Sequence, residues 1–470
     1  VEINPEDKVA VRSQEQGILK EIIDRYANEI AGDFKKSSYR FAQKFVTFGF
    51  ARLLNAARVK GLLALFSRQL DLDDKLHVTG ETEHLRKLAK MGTVVMVPTH
   101  FSNLDSILIG WVIQFLGLPP FMYGAGLNLF NIKILAYFMN NLGAYKVDRR
   151  KKNRIYLETL KTYSRAAIER GCHSLFFPGG TRSRSGEIES KLRLGLLETT
   201  IQAQREIYQK AEETSEEIRK IFIVPVVINY HFTLEAPALI KDFLKRTGRE
   251  RYYVEADEFS TSYKISTFLF KFFSKGSDIS VSIGRGMDIL GNYVDDEGVS
   301  SGKKGNKIDP RHYFMLGNKI TFDKQRENEY VHVLGKRIVE EYHKYNRVFA
   351  SHLTAFVAFK MLERKNPKLD LYNILRLPED DLILDYKEFK ANFKRLRGKI
   401  EKLYKKGKID MATHMQQKAK DAIQVGLKNL GLYHDQRPLV RKGEKIIIND
   451  TNTLYYYHNR MNGYGLEKYI

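Results

Sequence analysis

The sequence has a single cysteine, Cys172, in 470 residues. One thiol excludes a disulfide within the chain and any zinc site built from several cysteines. No group of histidines and carboxylates with the spacing of metal ligands stands out, so we expect no metal and no other cofactor. Nothing in the first residues resembles a signal peptide.

Long apolar runs are also missing. The longest, residues 107–118, is interrupted by glycine and glutamine and is shorter than the roughly 20 residues that a membrane-spanning helix needs. Residues 41–70 alternate apolar and basic side chains, a pattern that suits an amphipathic helix. Such a helix either lies on lipid or packs its apolar face against the rest of the protein.

Acidic residues are outnumbered, with 56 aspartates and glutamates against 78 lysines and arginines and a formal net charge of +22. This balance favours an anionic partner, which could be nucleic acid, an anionic membrane face, or a phosphorylated substrate with an acidic carrier. Residues 387–408 hold ten basic and two acidic residues, but no recognised nucleic-acid-binding signature accompanies them. We therefore expect no specific nucleic-acid partner.

The hydrophobic pattern divides the chain into four parts. It predicts an N-terminal helical region over residues 1–75, an α/β domain over 76–295, a flexible connection over 296–323, and a mostly helical region over 324–470. The α/β domain is expected to hold a central mixed or mostly parallel sheet flanked by helices. Apolar runs predict buried strands at Thr93–Pro98 and at residues 173–178, 221–228 and 278–284, and β-forming residues also occur at 445–448 and 454–457.

The segment PTHFSNLDS overlaps the end of the first of these strands. It places His100 at the carboxyl end of the strand and Asp105 in the first turn of the next helix. Ligands bind at that edge of an open α/β sheet. A histidine that donates one ring N–H to a carboxylate is held in the right tautomer to take a proton from an alcohol. We predict that Asp105 orients His100 while the substrate hydroxyl attacks a thioester, without a covalent enzyme intermediate.

Two further segments are suited to bind phosphate. In LGAYKVDRR, Gly143 permits a tight approach, and Arg149 and Arg150 stand at the end of a short strand. In LFFPGGTRSRSG, two glycines free the backbone and hydroxyl and guanidinium donors follow, namely Thr181, Arg182, Ser183 and Arg184. The chain has no Walker spacing and no G-x-S-x-G, which argues against a P-loop and a serine-hydrolase elbow.

In this order, HFSNLD, GAYKVDR, FPGGTRSRSG and IVPVVINY resemble the four blocks of the glycerophosphate and lysophosphatidate acyltransferase superfamily. The resemblance implies His100 and Asp105 as the catalytic pair and places Pro225 near the acyl-donor pocket. It implies that the acceptor phosphate is bound by Gly143, Arg149, Gly180, Arg182 and Ser183, and Thr181 is a candidate from the same loop.

The helical leader, the TRSRSG ending and residues 334–362 resemble the longer glycerol-3-phosphate and dihydroxyacetone-phosphate acyltransferases. This favours glycerol-3-phosphate as acceptor over lysophosphatidate, with acyl-CoA or acyl-carrier protein as donor. Where the superfamily usually has glutamate, this chain has Gly179, so a non-catalytic lipid-binding homologue stays an alternative. The expected location is peripheral, on the anionic cytoplasmic face of a membrane.

Overall fold

Strands and helices alternate through the first half of the chain. The computed structural model describes residues 8–32, 76–127, 143–148, 150–248, 278–302, 304–432 and 434–470, so the helix predicted at residues 41–70 lies outside it. After α1 (Lys8–Ile30) come β1 (Leu76–Gly80), α2 (Thr82–Met91), β2 (Thr93–Pro98), α3 (Asp105–Phe115), β3 (Met122–Gly126), β4 (Ala144–Val147), α4 (Arg154–Glu169), β5 (Ser174–Leu175), α5 (Leu194–Thr214), β6 (Ile221–Tyr230), α6 (Ala236–Arg246) and β7 (Ile279–Ile283).

The strands β1 to β7 form one sheet with the order β1-β7-β6-β2-β5-β3-β4. Neighbouring strands from β6 to β4 are parallel. At the other end β7 runs antiparallel to β6, and β1 pairs in parallel with β7. The predicted α/β fold with a mostly parallel sheet is confirmed, and the carboxyl ends of five strands share one edge.

The two central strands are apolar on both faces because helices cover both sides of the sheet. Every residue of β2 and of β6 is buried. Successive strand side chains point to opposite faces, so Val94 and Met96 join the core that includes α3, whereas Val95 and Val97 join the core that includes α5. Continuous burial explains why these strands read as unbroken apolar runs.

Residues 296–323, predicted as a flexible connection, contain secondary structure. Three short antiparallel strands pair as β10-β9-β8, and Phe314 and Ile320 are buried in the core beside α5. Strand β8 (Tyr293–Val294) precedes the segment, which contains β9 (Ser300–Ser301), β10 (Lys307–Ile308), a 3-10 helix (Pro310–Phe314), β11 (Met315–Leu316) and β12 (Lys319–Ile320). The segment therefore packs on the domain, and the domain boundaries themselves stay a prediction.

The C-terminal region is mostly helical. Its elements are α7 (Lys324–Tyr345), β13 (Arg347–Val348), α8 (Ala350–Lys365), α9 (Leu371–Ile374), a 3-10 helix (Glu379–Leu382), β14 (Ile383–Asp385), α10 (Tyr386–Lys405), β15 (Asp410–Met411), a 3-10 helix (Thr413–Gln416), α11 (Ala419–Asn429), β16 (Leu439–Lys442), β17 (Lys445–Ile448), α12 (Thr451–His458) and two 3-10 helices (Asn459–Met461, Glu467–Tyr469). Within the described residues, no helix combines the length and apolar character that crossing a membrane requires.

The two stretches of β-forming residues in this region fold differently. Residues 454–457 lie in the helix α12, whereas Lys445–Ile448 form the strand β17. The side chain of Asp450 accepts a hydrogen bond from the Thr453 N–H and so caps the helix. Leu454 and Tyr457 are buried in the core that includes α3, so tertiary packing and the helix cap override the β preference of these residues.

The C-terminal region also reaches the sheet. Arg460 is buried; its guanidinium donates to the Ile228 carbonyl and the Asn229 side chain at 2.8 and 2.6 Å and lies over the Phe101 ring. The Tyr342 hydroxyl donates to the Val97 carbonyl at 2.8 Å. Both contacts fall near the carboxyl ends of β2 and β6, the edge at which His100 stands.

Candidate active site

The segment after β2 brings His100 and Asp105 into contact. His100 Nδ1 lies 2.8 Å from Asp105 Oδ2, as the spacing predicted. The same carboxylate oxygen accepts the backbone N–H groups of Phe101 and Ser102 at 2.6 and 2.9 Å. Asp105 therefore closes the loop as well as orienting the imidazole.

Asp105 is fully buried and receives a further hydrogen bond on its other oxygen. The Tyr230 hydroxyl, at the end of β6, donates to Oδ1 at 2.5 Å. Burial, followed by the charge of Asp105, raises the pKa of Tyr230 well above its usual value, so this hydroxyl stays protonated and donates. With the carboxylate acting only as an acceptor, Nδ1 of His100 carries the proton and Nε2 has the lone pair of a general base.

His100 is also held on its backbone and ring face. Its N–H donates to Glu189 Oε1 at 2.8 Å, and its carbonyl accepts the Ser183 N–H at 2.7 Å. The Phe177 ring stacks on the imidazole with 4.3 Å between ring centroids. Only 12% of the His100 side chain is exposed. The FPGGTRSRSG loop thus fixes the histidine in place, a role that the sequence did not reveal.

The donors predicted in this loop lie beside His100, and several already have protein partners. Gly180 turns the loop with φ +75° and donates its N–H to the Phe177 carbonyl. Arg182 Nη1 lies 3.3 Å from Glu235 Oε1, and the Ser183 hydroxyl donates to the Glu187 carbonyl at 2.7 Å. Thr181 lies between these residues and is partly exposed. The loop therefore carries Thr181 and Arg182 next to Ser183, whose backbone contacts His100.

Glu235 joins the two motifs. It is buried and accepts the Asn103 N–H at 2.9 Å and the Ser102 hydroxyl at 3.1 Å, in addition to its ion pair with Arg182. One carboxylate thereby ties the HFSNLD segment to the arginine predicted to bind phosphate. This link fixes Arg182 relative to His100.

The structure does not bring Gly143 to this site. Gly143 precedes β4, so it lies at the amino edge of the parallel strands, opposite His100. Its φ is +90°, and a Cβ there would lie 2.8 Å from the Phe121 carbonyl oxygen. The glycine is therefore required for a tight turn. A short sequence motif does not show whether its glycine serves such a turn or allows a phosphate to approach the backbone.

The remaining predicted residues have different positions. Arg149 lies outside the described residues, whereas its neighbour Arg150 makes two side-chain hydrogen bonds to Asp148 at 3.0 and 3.1 Å. Pro225 is buried in β6 opposite Val97. It thus lies within the sheet, beside the strand that leads into His100.

Residues 77–229 match a protein-family model whose description is Acyltransferase. The matched span runs from β1 to β6 and includes His100, Asp105 and the FPGGTRSRSG loop. Residues 77–229 therefore form a domain similar to those of the glycerophosphate acyltransferase superfamily. In this domain, His100 and Asp105 lie at the carboxyl edge of the mostly parallel sheet.

Relatives with curated names extend this similarity. The glycerol-3-phosphate acyltransferase of Histophilus somni is 32% identical over 171 residues, which cover 36% of this chain and 20% of that protein. The glycerol-3-phosphate acyltransferase of Actinobacillus succinogenes is 28% identical over 251 residues, which cover 52% of this chain and 27% of that protein. The matched part of the chain thus spans a quarter or so of these relatives. The crystal structure of the 1-acyl-sn-glycerophosphate acyltransferase of Thermotoga maritima aligns with TM-score 0.30 and 15% identity, covering 64% of this chain and 78% of that one.

Three acidic or phenolic residues that contact the site were not predicted from the sequence, namely Tyr230, Glu235 and Glu189. Tyr230 ends the fourth block, and Glu235 follows the carboxyl end of β6, so the rule that ligands bind at strand ends could have indicated both. Glu189 lies in an irregular loop with no motif of its own. Its contact with His100 depends on the loop path, which no local pattern predicts.

A second polar cluster lies next to the site. His231, Asp278 and His414 each offer a metal-ligand atom, and these atoms lie within 4.8 Å of one another. Burial lowers the pKa of His231 and lowers that of His414 to about 4, so both rings are neutral at pH 7. However, His414 Nε2 accepts the Ala350 N–H at 3.0 Å, which leaves the ring proton on its other nitrogen. We assign no metal to this cluster, and the expectation of no metal requirement stays a prediction.

Proposed function

We propose that the chain is an O-acyltransferase that moves a fatty acyl group from acyl-CoA or acyl-carrier protein to a hydroxyl of glycerol-3-phosphate. The hydrogen-bonded His100 and Asp105 pair at the carboxyl edge of an acyltransferase domain carries this proposal. The relatives named as glycerol-3-phosphate acyltransferases support this acceptor.

The geometry supports direct transfer. Nε2 of His100 takes the hydroxyl proton of the acceptor while the hydroxyl oxygen attacks the thioester carbon. The tetrahedral intermediate then collapses with cleavage of the carbon–sulfur bond, and the imidazolium returns its proton to the thiolate. The products are the acyl ester and the free thiol. The chain needs no nucleophile of its own.

Asp105 stabilises the charged form of the base. The imidazolium formed during attack lies 2.8 Å from a carboxylate that is buried and already oriented by three other donors. Such preorganised charge requires no rearrangement at the moment of reaction.

Arg182 is the described residue best placed to bind the acceptor phosphate. Arg182→Ala should raise the KM for the acceptor about 10- to 100-fold, because a hydrogen bond to a charged group contributes about 1.5–3 kcal/mol. The turnover number should fall less, since the His100 and Asp105 pair is left intact. Steady-state kinetics with varied acceptor measure both constants.

Arg165→Ala is the matched control for this prediction. Arg165 forms an ion pair with Glu206 at 3.1 Å on the helices α4 and α5, away from the FPGGTRSRSG loop. Its KM should stay near that of the wild type. An unchanged KM in Arg182→Ala, with a melting temperature like that of the control, would remove Arg182 from the phosphate site.

The positive surface supports binding to membranes. We propose peripheral attachment to the anionic cytoplasmic face of a membrane, because a net charge of +22 attracts acidic headgroups. Sedimentation with liposomes tests this. Binding should require anionic lipid and weaken with added salt.

An acceptor comparison tests the proposed function. Purified protein on anionic liposomes would be offered a long-chain acyl-CoA together with glycerol-3-phosphate, dihydroxyacetone phosphate or lysophosphatidate in separate reactions. Preference for glycerol-3-phosphate supports the proposal, whereas preference for lysophosphatidate keeps the mechanism and changes the biosynthetic step. If no acceptor is acylated, even with acyl-carrier protein as donor, the result favours the alternative of a non-catalytic lipid-binding homologue.

A further inference from the structure

Glu189 has an unusual environment for a carboxylate. Its Oε1 accepts the His100 N–H at 2.8 Å, while its Oε2 is buried with no hydrogen-bond partner among the described residues. Leaving a carboxylate oxygen buried and unpaired is unfavourable, so such a group is retained where it has a role. The mechanism above does not use Glu189.

The side chain of Glu189 lies over Gly179. A Cβ built on Gly179 would stand 3.0 Å from both Cγ and Oε1 of Glu189. That separation is tighter than ordinary contact, so a side chain at position 179 would require the Glu189 side chain to shift. Gly179 does not have the positive φ of its neighbour Gly180, so its backbone would accept another residue.

We propose that Glu189 supplies, from a later point in the loop, the carboxylate that the superfamily carries at the position of Gly179, and that it positions His100 for catalysis. The inference rests on the proposed acyl transfer and concerns the same site. Glu189 is a positioning residue because its contact is with the backbone of His100. The missing glutamate at position 179 then no longer indicates an inactive homologue.

The two backbone contacts of His100 explain how Glu189 acts. Glu189 accepts the N–H of His100, and Ser183 donates to its carbonyl, so both peptide groups flanking the catalytic side chain are fixed. Without the Glu189 carboxylate, that N–H loses its acceptor, and the peptide group before His100 is no longer held by this hydrogen bond. A displacement of about 1 Å in a catalytic group can reduce turnover about 100-fold.

The electrostatic surroundings agree with a shielded carboxylate. Burial raises the pKa of Glu189 to about 7, against the opposing effects of its hydrogen bond from His100 and of the Arg460 charge. The negative charge of Asp105 acts in the same direction as burial. A neutral amide at this position should therefore preserve the contact, because an amide oxygen also accepts an N–H.

A carboxylate exchange tests the inference with four variants and the wild type. Glu189→Ala should lower kcat about 100-fold and change the acceptor KM little, whereas Glu189→Gln should keep most of the activity. Gly179→Glu alone should be impaired, because the two side chains compete for one space. The double variant Gly179→Glu with Glu189→Ala should have a kcat at least about tenfold higher than that of Glu189→Ala, because the carboxylate at position 179 restores part of the lost positioning of His100.

Two controls keep the result interpretable. Glu216→Ala removes an exposed glutamate in the loop before β6 and should behave as wild type. The backbone amide signal of His100 in a ¹⁵N correlation spectrum reports the hydrogen bond without any turnover. It should shift in Glu189→Ala and return towards its wild-type position in the double variant.

Several outcomes would overturn the inference. They are near-normal kcat in Glu189→Ala, loss of activity in Glu189→Gln equal to that in Glu189→Ala, or a folded double variant no more active than Glu189→Ala. If the wild type itself acylates no acceptor, the proposed function fails. The His100 amide shift then decides whether the carboxylate exchange is still correct.

Discussion

His100→Ala is expected to lower kcat about 1000-fold and to leave the protein folded, because a positioned general base contributes roughly 10²- to 10⁴-fold to such a reaction. The fold tolerates the change since Asp105 keeps the Phe101 and Ser102 N–H groups and the Tyr230 hydroxyl as donors. The lost stacking on Phe177 costs about 0.5–1.5 kcal/mol. Turnover with saturating acyl-CoA and acceptor, with a thermal melt of the same sample, measures both effects.

His332→Ala is the control for that variant. His332 is exposed on α7, so its replacement should change neither turnover nor melting temperature. Activity in His100→Ala within tenfold of the wild type would show that the proton is taken by another group. The mechanism proposed for the His100 and Asp105 pair would then be wrong.

Asp105 should behave differently from His100, since its carboxylate serves both the reaction and the fold. Asp105→Asn is expected to lower kcat about 10²- to 10⁴-fold, because an amide no longer ensures that the imidazole carries its proton on Nδ1. Asp105→Ala should in addition lower the free energy of unfolding by about 3 kcal/mol or more. It leaves two buried N–H groups and the Tyr230 hydroxyl without their acceptor, at about 1–3 kcal/mol for each unsatisfied group.

Urea unfolding combined with kinetics separates these effects. The control Asp385→Ala removes the carboxylate that caps α10 and accepts the Glu388 N–H. It should reduce stability by about 1 kcal/mol and leave kcat unchanged. If Asp105→Ala were as stable as His100→Ala, the hydrogen bonds to its carboxylate would not contribute to the fold as the structure indicates.

Apolar patterning predicted the sheet well because burial on both faces leaves a local signature. β2 and β6 are continuous apolar runs, and each lies at the centre of the sheet. The contact between His100 and Asp105 was predictable for a related reason. His100 and Asp105 are close in sequence and span one strand end and one helix start, so local structure alone brings them together.

Contacts between distant segments were not predictable in the same way. Gly143 is one example. A glycine in a sequence motif does not indicate whether it lies at the end of the strand that faces the ligand or at the opposite end. Glu189 and Glu235 are two others, because each reaches the site through a loop whose path is set by tertiary packing. Residues 454–457 are a further example, since their β preference is weaker than a helix cap combined with a buried face.

The buried Arg460 has a consequence for how the protein is made. The Arg460 guanidinium donates to a carbonyl near the carboxyl end of β6 and lies over the ring of Phe101, the residue after His100, while the adjacent Asn459 donates to the Ser185 carbonyl. These contacts form only when residues 459 and 460 have been synthesised. A ribosome that has translated the His100 and Asp105 codons has therefore not yet produced a complete site. A premature stop shortly before Arg460 would remove these contacts, although the codons for His100 and Asp105 lie more than 350 codons earlier.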